Sequence, residues 1–158
     1  MSISFLTPWR DDGQRGTVKN WLAVRWQKNW PTAEFIVSDD DGGTPFSKAV
    51  ALNNAAGQAS GDILIVLDAD VWLPVKDLRA GLEAAADGEW VMPANEVWRL
   101  NQAATRRLLS RAPTGRWPIF DSADIEAGTL LVGSVQIVPR VAWERVGGFD
   151  PRFRGWGG

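Results

Sequence analysis

The chain contains no cysteine, no histidine and no tyrosine in its 158 residues. Without cysteine it has no disulfides, no thiolate nucleophile and no Cys-ligated zinc or iron–sulfur centre. Without histidine it has no imidazole general base and no His-held metal. Asp, Glu, Asn, Ser, Thr, Lys and the main chain remain for chemistry, a donor set that suits hard, oxygen-seeking cations such as Mg2+ or Mn2+. Long apolar runs are also missing: the longest aliphatic stretch, Ile63 to Leu67, is far short of the roughly 20 residues that span a bilayer. The segment Met1 to Pro8 has neither a basic start nor a long apolar stretch, so it does not read as a secretory signal, and a cytoplasmic location is expected. Nor is there an excess of positive charge. Seventeen Lys and Arg against nineteen Asp and Glu give a net charge of -2, with the arginines dispersed, so no nucleic-acid partner is inferred.

With 45% hydrophobic and 23% charged residues, the composition is that of an ordinary globular protein. The length fits a single domain, since domains run to roughly 100–150 residues. Ten tryptophans are many, and indole serves both core packing and stacking on sugars or bases.

Short β-prone runs alternate with stretches whose apolar residues recur every three or four positions, which predicts βαβ units and an α/β sandwich. A strand over Ile3 to Leu6 ends at Thr7-Pro8. Val18, Trp21, Leu22, Arg25 and Trp26 then share a helical face that Pro31 terminates. A second strand, Glu34 to Val37, runs into Ser38-Asp39-Asp40-Asp41-Gly42-Gly43, a loop expected outside the core because three adjacent carboxylates would be desolvated together. Ala49, Leu52, Ala56 and Ala59 form the stripe of a second helix, with Ser47 as its cap and Gly61 as its end. Ile63 to Leu67 is continuously apolar, as a strand buried on both faces at the centre of a parallel sheet should be. Further on, the pattern predicts helices over Pro74 to Ala85 and Glu96 to Arg111, and a short strand over Trp90 to Met92. A longer strand is expected over Thr129 to Val138, bulged at Gly133, and a helix over Arg140 to Val146 closed by Gly147. Trp21, Trp26 and Trp143 fall on helical stripes and are assigned to packing.

Asp68-Ala69-Asp70 follows the central strand, and ligands of open parallel sheets bind beyond the carboxyl ends of their strands. Two carboxylates one residue apart at such a turn converge on a shared divalent cation, which would neutralise a diphosphate. Asp-x-Asp alone is a weak signal, and Asp70 equally fits a turn or cap residue.

The order of features from Glu34 to Leu73 resembles the nucleotide-binding half of GT-A glycosyltransferases, above all the family-2-like inverting enzymes. There, as here, a strand ends in an acidic loop, a segment like Phe46 to Ala56 runs to Ser60-Gly61-Asp62, and a strand ends in Asp-x-Asp. Thr7-Pro8-Trp9-Arg10-Asp11 is similar to the family's first loop, which lies over the nucleotide base. The resemblance implies a Rossmann-like three-layer α/β/α sandwich with a mostly parallel central sheet, one GT-A-type domain over 1–158. Residues 1–73 would be its nucleotide-binding half and 90–158 its acceptor-side half. It implies a nucleotide sugar, of UDP type, as donor, and a glycan, protein or small molecule as acceptor. Thr7, Pro8, Arg10, Asp39, Asp40, Lys48, Asp68 and Asp70 would contact the nucleotide, with Asp39 the first choice for the base or ribose among Asp39, Asp40 and Asp41. Lys48 would lie near the ribose or diphosphate, Asp68 at the ribose, and Asp70, with Asp68, at Mn2+ or Mg2+.

Val138 to Gly158, with Gly147-Gly148-Phe149-Asp150 and Phe153-Arg154-Gly155-Trp156-Gly157, looks like the acceptor-side segment of the same enzymes, especially galactosyltransferase-like ones. An acidic pair containing the general base normally follows, and the sequence stops at Gly158. The expectations, in order, are a piece of a longer protein, a substitute base among Asp121, Asp124, Glu126 and Asp150, or a module that binds a sugar nucleotide without transferring the sugar. Asp150 is a weak candidate, its Phe-Asp-Pro setting being that of a turn former. Gly133 and Ser134 are expected near the donor sugar, and Trp156 as a sugar-stacking indole. A haloacid-dehalogenase-like phosphatase, with Asp68 as nucleophile and Asp70 beside it, fits less well because two βα units precede the motif.

Overall fold

Apolar runs become strands and periodic stretches become helices in a computed structural model that describes residues 1–130 and 133–155. In chain order the elements are β1 (Ile3–Pro8), α1 (Gly16–Asn29), β2 (Glu34–Ser38), α2 (Lys48–Gln58), β3 (Ile63–Leu67) and α3 (Val75–Ala85), then β4 (Glu96–Leu100), α4 (Gln102–Leu109), β5 (Ile125–Leu130), β6 (Val135–Pro139) and α5 (Arg140–Val146). A four-stranded sheet has the order β2-β1-β3-β6, and β4 pairs with β5 in a separate two-stranded sheet. Strand β1 is parallel to both β2 and β3, whereas β6 runs antiparallel to β3 with Leu64 opposite Val138 and Val66 opposite Gln136.

The central strand is buried at every position, and its side chains alternate between two cores. Ile63, Ile65 and Leu67 meet Leu22, Trp26 and Trp30 of α1 and its end, and Leu78 and Leu82 of α3. Leu64 and Val66 meet Leu52, Ala55 and Ala56 of α2, and Ala142 and Trp143 of α5. The result is the expected α/β/α sandwich. Each fully buried Leu or Ile contributes about 1.5–3 kcal/mol through removal from water, so β3 is the strand on which both layers depend.

Four local expectations are corrected. The stretch from Glu96 to Arg111 is a strand and then a helix, because Asn101 breaks it: its side chain accepts the Ala104 N–H at 2.9 Å as the cap of α4. The stretch from Thr129 to Val138 is divided between β5 and β6, in different sheets, with Gly133 at φ +71° between them. Trp90 to Met92 forms only one bridge, Val91 to Ile137. Helix α2 ends at Gln58 with Ala59 extended, not at Gly61. Gly61 instead lies against β1, where a Cβ would stand 2.5 Å from Ser4 Oγ.

Candidate functional site

The loops that follow β1, β2 and β3 meet at the carboxyl end of the sheet. Thr7 and Pro8 close β1 opposite Val37 and Ser38, and the Trp9 N–H continues the pairing to the Ser38 carbonyl at 2.9 Å. Arg10 then crosses to the acidic loop after β2. Its Nε donates to Asp39 Oδ1 at 3.0 Å, its Nη1 to the Gly43 carbonyl at 2.8 Å, and its Nη2 to Asp40.

Asp40 corrects the expectation that all three loop carboxylates stay in water. Its side chain has no exposed surface. Burial is tolerated because the carboxylate is satisfied: Arg10 pairs with it, Oδ2 accepts the Ser47 N–H at 2.7 Å, Oδ1 accepts the Gly42 N–H at 2.9 Å, and Arg154 lies 3.8 Å away. Asp40 therefore pins the loop to the start of α2. Asp39 and Asp41 flank it at the surface, and the Arg154 guanidinium holds the Asp41 carboxyl down at about 2.

Beside this loop stands a second group. Lys48 opens α2, and its Nζ lies 2.6 Å from Asp68 Oδ1 and 3.4 Å from the Gly133 carbonyl. Asp68 follows β3; its N–H donates to the Ser134 carbonyl at 3.0 Å, and its side chain is 27% exposed. Burial pushes the Asp68 carboxyl above its ordinary value, against the pull of Lys48, and neighbouring Asp70 pushes it the same way. Asp70 is more open, with Arg15 Nη1 3.6 Å from its Oδ2. Arg15 is aimed by Asp12, which accepts its Nε at 2.6 Å. Lys48, Asp68, Asp70, Gly133 and Ser134 are thus brought to one place.

Behind Asp70, the Arg25 guanidinium packs against Trp72 and Trp117, at 4.6 and 4.8 Å from the centroids of two indoles that stack on each other at 5.3 Å. It donates to the carbonyls of Pro113 and Gly115 at 2.9 Å each. This tethers the turn after Asp-x-Asp to residues 111–117.

The substitute bases fare differently. Asp121 and Asp124 cap a 3-10 turn at Ser122–Asp124, and Asp124 also pairs with Arg107 at 2.6 Å. Glu126 is exposed on β5. Asp150 is clamped by Arg152, which holds its carboxyl at about 2 and leaves it a poor proton acceptor. Trp156 lies outside the described residues. The sequence reading missed Arg15, Arg25 and Arg154. Only Arg25 carried a signal, as a charged residue within an apolar helical face.

Asp68 and Asp70 could offer oxygen donors to a divalent cation, and among the described residues no group of three or more Asp, Glu, His or Cys is placed to hold a metal ion. Two carboxylates suit Mg2+ or Mn2+, which take one or two from protein and the rest from phosphate and water.

The sequence profile of the family described as "Glycosyl transferase family 2" matches residues 42–123, just over half of the chain, including α2, Asp68 and Asp70. The chain belongs to glycosyl transferase family 2. No curated protein matches its sequence. Among solved structures, the catalytic domain of Drosophila β1,4-galactosyltransferase 7 in complex with xylobiose superposes with a TM-score of 0.56 at 16% identity, covering 99% of this chain and 56% of that one. The same enzyme's mutant complex with manganese, UDP-Gal and xylobiose gives 0.53, again at 16% identity with 99% and 56% coverage. The bifunctional IspDF of Campylobacter jejuni gives 0.52 at 13% identity, covering 97% of this chain and 45% of that one. A mannosyltransferase of Pyrobaculum calidifontis, in complex with GDP-Man and Mn2+, gives 0.51 at 18% identity, with 95% and 48%. The fold of this family-2 member is of the GT-A type, and the chain spans about half the length of these structures. Among the described residues no helix is long and apolar enough to cross a membrane.

Proposed function

We propose that this family-2 chain carries the donor site of a metal-dependent, inverting glycosyltransferase that uses a UDP-sugar and an acceptor hydroxyl. One observation carries the reading. Lys48, Asp68, Asp70 and Arg15 converge where the loops after β1 and β3 meet, so that two neighbouring carboxylates are flanked by two cations at the mouth of the sheet. A nucleoside diphosphate requires both kinds of group: cations for its phosphates and carboxylates for the ion that bridges them.

In this reading residues 1–73 form the nucleotide half, with Thr7, Pro8, Arg10 and Asp39 around base and ribose. Asp40 serves the loop rather than the ligand. Asp68 and Asp70 would hold Mn2+ or Mg2+, whose charge stabilises a departing diphosphate. Lys48 and Arg15 supply further positive charge on the same side. Gly133 and Ser134 bring main chain to the donor sugar. Transfer with inversion requires a carboxylate on the acceptor side, and Asp150, clamped by Arg152, is not suited to that task. The acceptor side is assigned to residues 90–158.

Calorimetric titration of UDP, with and without Mn2+, tests the donor site. Binding to the wild-type chain is expected to require Mn2+ and to be lost in Asp70→Ala with little change in thermal stability. Binding that ignores both metal and Asp70 would remove the metal from the reading.

A further inference from the structure

Residues 147–155 are fastened to α2 and to the loop that leads into it by bonds made largely to main chain. The Asn53 side-chain amide pairs with Phe149 as a strand neighbour would: Nδ2 donates to its carbonyl at 2.8 Å, and Oδ1 accepts its N–H at 3.0 Å. Gly148, at φ +79°, makes room, since a Cβ there would stand 2.6 Å from Asn53 Oδ1. Ser47, the cap of α2, donates its hydroxyl to the Phe153 carbonyl at 2.8 Å, and the Gly155 N–H donates to the Phe46 carbonyl at 2.9 Å. Arg154 reaches furthest. Its Nη2 and Nη1 lie 2.7 and 3.2 Å from the two oxygens of Asp41.

We infer that residues 147–155 form a clasp that shapes the nucleotide loop, with Arg154 as a positioning residue acting through Asp41. The inference rests on reading residues 39–48 as the nucleotide contact. Two physical arguments carry it. The loop holds its shape by folding amides onto its own carboxylates: Gly42 N–H onto Asp40 and Gly43 N–H onto Asp41, at 2.9 and 3.0 Å. A guanidinium forked on Asp41 fixes the second of these carboxylates from outside the loop. Among the described residues, the three loop carboxylates also face only Arg10 and Arg154 as ion-pair partners. Removing Arg154 leaves more negative charge beside a site that receives a polyanion.

The experiment compares wild type, Arg154→Gln, Asp41→Asn and the double variant by amide hydrogen exchange over residues 40–48 and by UDP affinity with Mn2+. Arg154→Gln is expected to speed exchange at Gly43 and Ser47 and to weaken UDP on the order of five-fold, the scale of ordinary site-to-site coupling. Asp41→Asn should add less in that background than alone. Gly148→Ala, which loosens the other end of the clasp, should act in the same direction. Unchanged exchange, or faster exchange with UDP affinity intact, overturns the positioning role. If wild type binds no UDP while Arg154→Gln still frees the loop, the clasp stands and the nucleotide reading of the loop falls.

Discussion

Arg25 shows how much one side chain can organise here. It is 92% buried, has no carboxylate partner among the described residues, and gives its Nη1 to two carbonyls while its guanidinium rests against a stacked pair of indoles. Arg25→Met would keep the bulk but strand both carbonyls, and should lower stability by about 2 kcal/mol in urea denaturation. Arg25→Lys should lose nearly as much, since the shorter ammonium has neither the plane to lie against the indoles nor the length that carries Nη1 to the two carbonyls; full stability in that variant would refute this account. Single residues were unevenly legible in the sequence. Asp68 and Asp70 stand out because a buried strand points at them. Asp40 looked like its neighbours, and what buries it, Arg10 and Arg154, comes from loops 30 and 114 positions away.

Among elements, those with local causes were legible. Strand β3 announces itself by five apolar residues, α2 by its small-residue stripe and Ser47, and α5 by Gly147, which adopts the left-handed conformation at its end. Strand β4 did not, because Val97 and Trp98 form a strand only by pairing with Thr129 and Gly128, some thirty residues on. The single local clue was Asn101. Asn101→Ala should therefore cost about 1 kcal/mol, the usual worth of a helix cap, whereas Asn101→Asp should retain most of it. Urea midpoints of the two variants check this, and equal midpoints would mean that α4 does not depend on its cap.

For the whole molecule, an α/β sandwich was readable from alternation and its three layers from the family resemblance, but the antiparallel return of β6 and the separate β4–β5 sheet were not, since partner choice is settled by packing across long separations. The phosphatase alternative gives way to the family match. The charge pattern makes a global prediction. With no histidine, little should titrate between about pH 5 and 7, so the thermal midpoint should be flat there. Asp12, Glu34, Asp41, Asp62, Asp124 and Asp150 all have carboxyls held below their ordinary values by hydrogen bonds and arginines. A lowered folded value means stability that is complete above the ordinary value and is lost as pH falls through the folded one. For Asp41 that window runs from 3.8 down to about 2. Asp68, raised by burial, works in the opposite sense and offsets a part. Thermal scans across pH should show the midpoint falling steadily below about pH 4.5, and a midpoint that rises in acid would contradict the carboxylate assignments.

The place of β6 also sets a timetable. Strand β3 gains its second neighbour only from Val135 to Pro139, so a nascent chain carries one bare, wholly apolar strand edge while the intervening residues are made. At about 5–20 residues per second, the ribosome leaves that edge open for several seconds. This interval, more than any later moment, is when the newborn protein is most exposed to sticking to its neighbours.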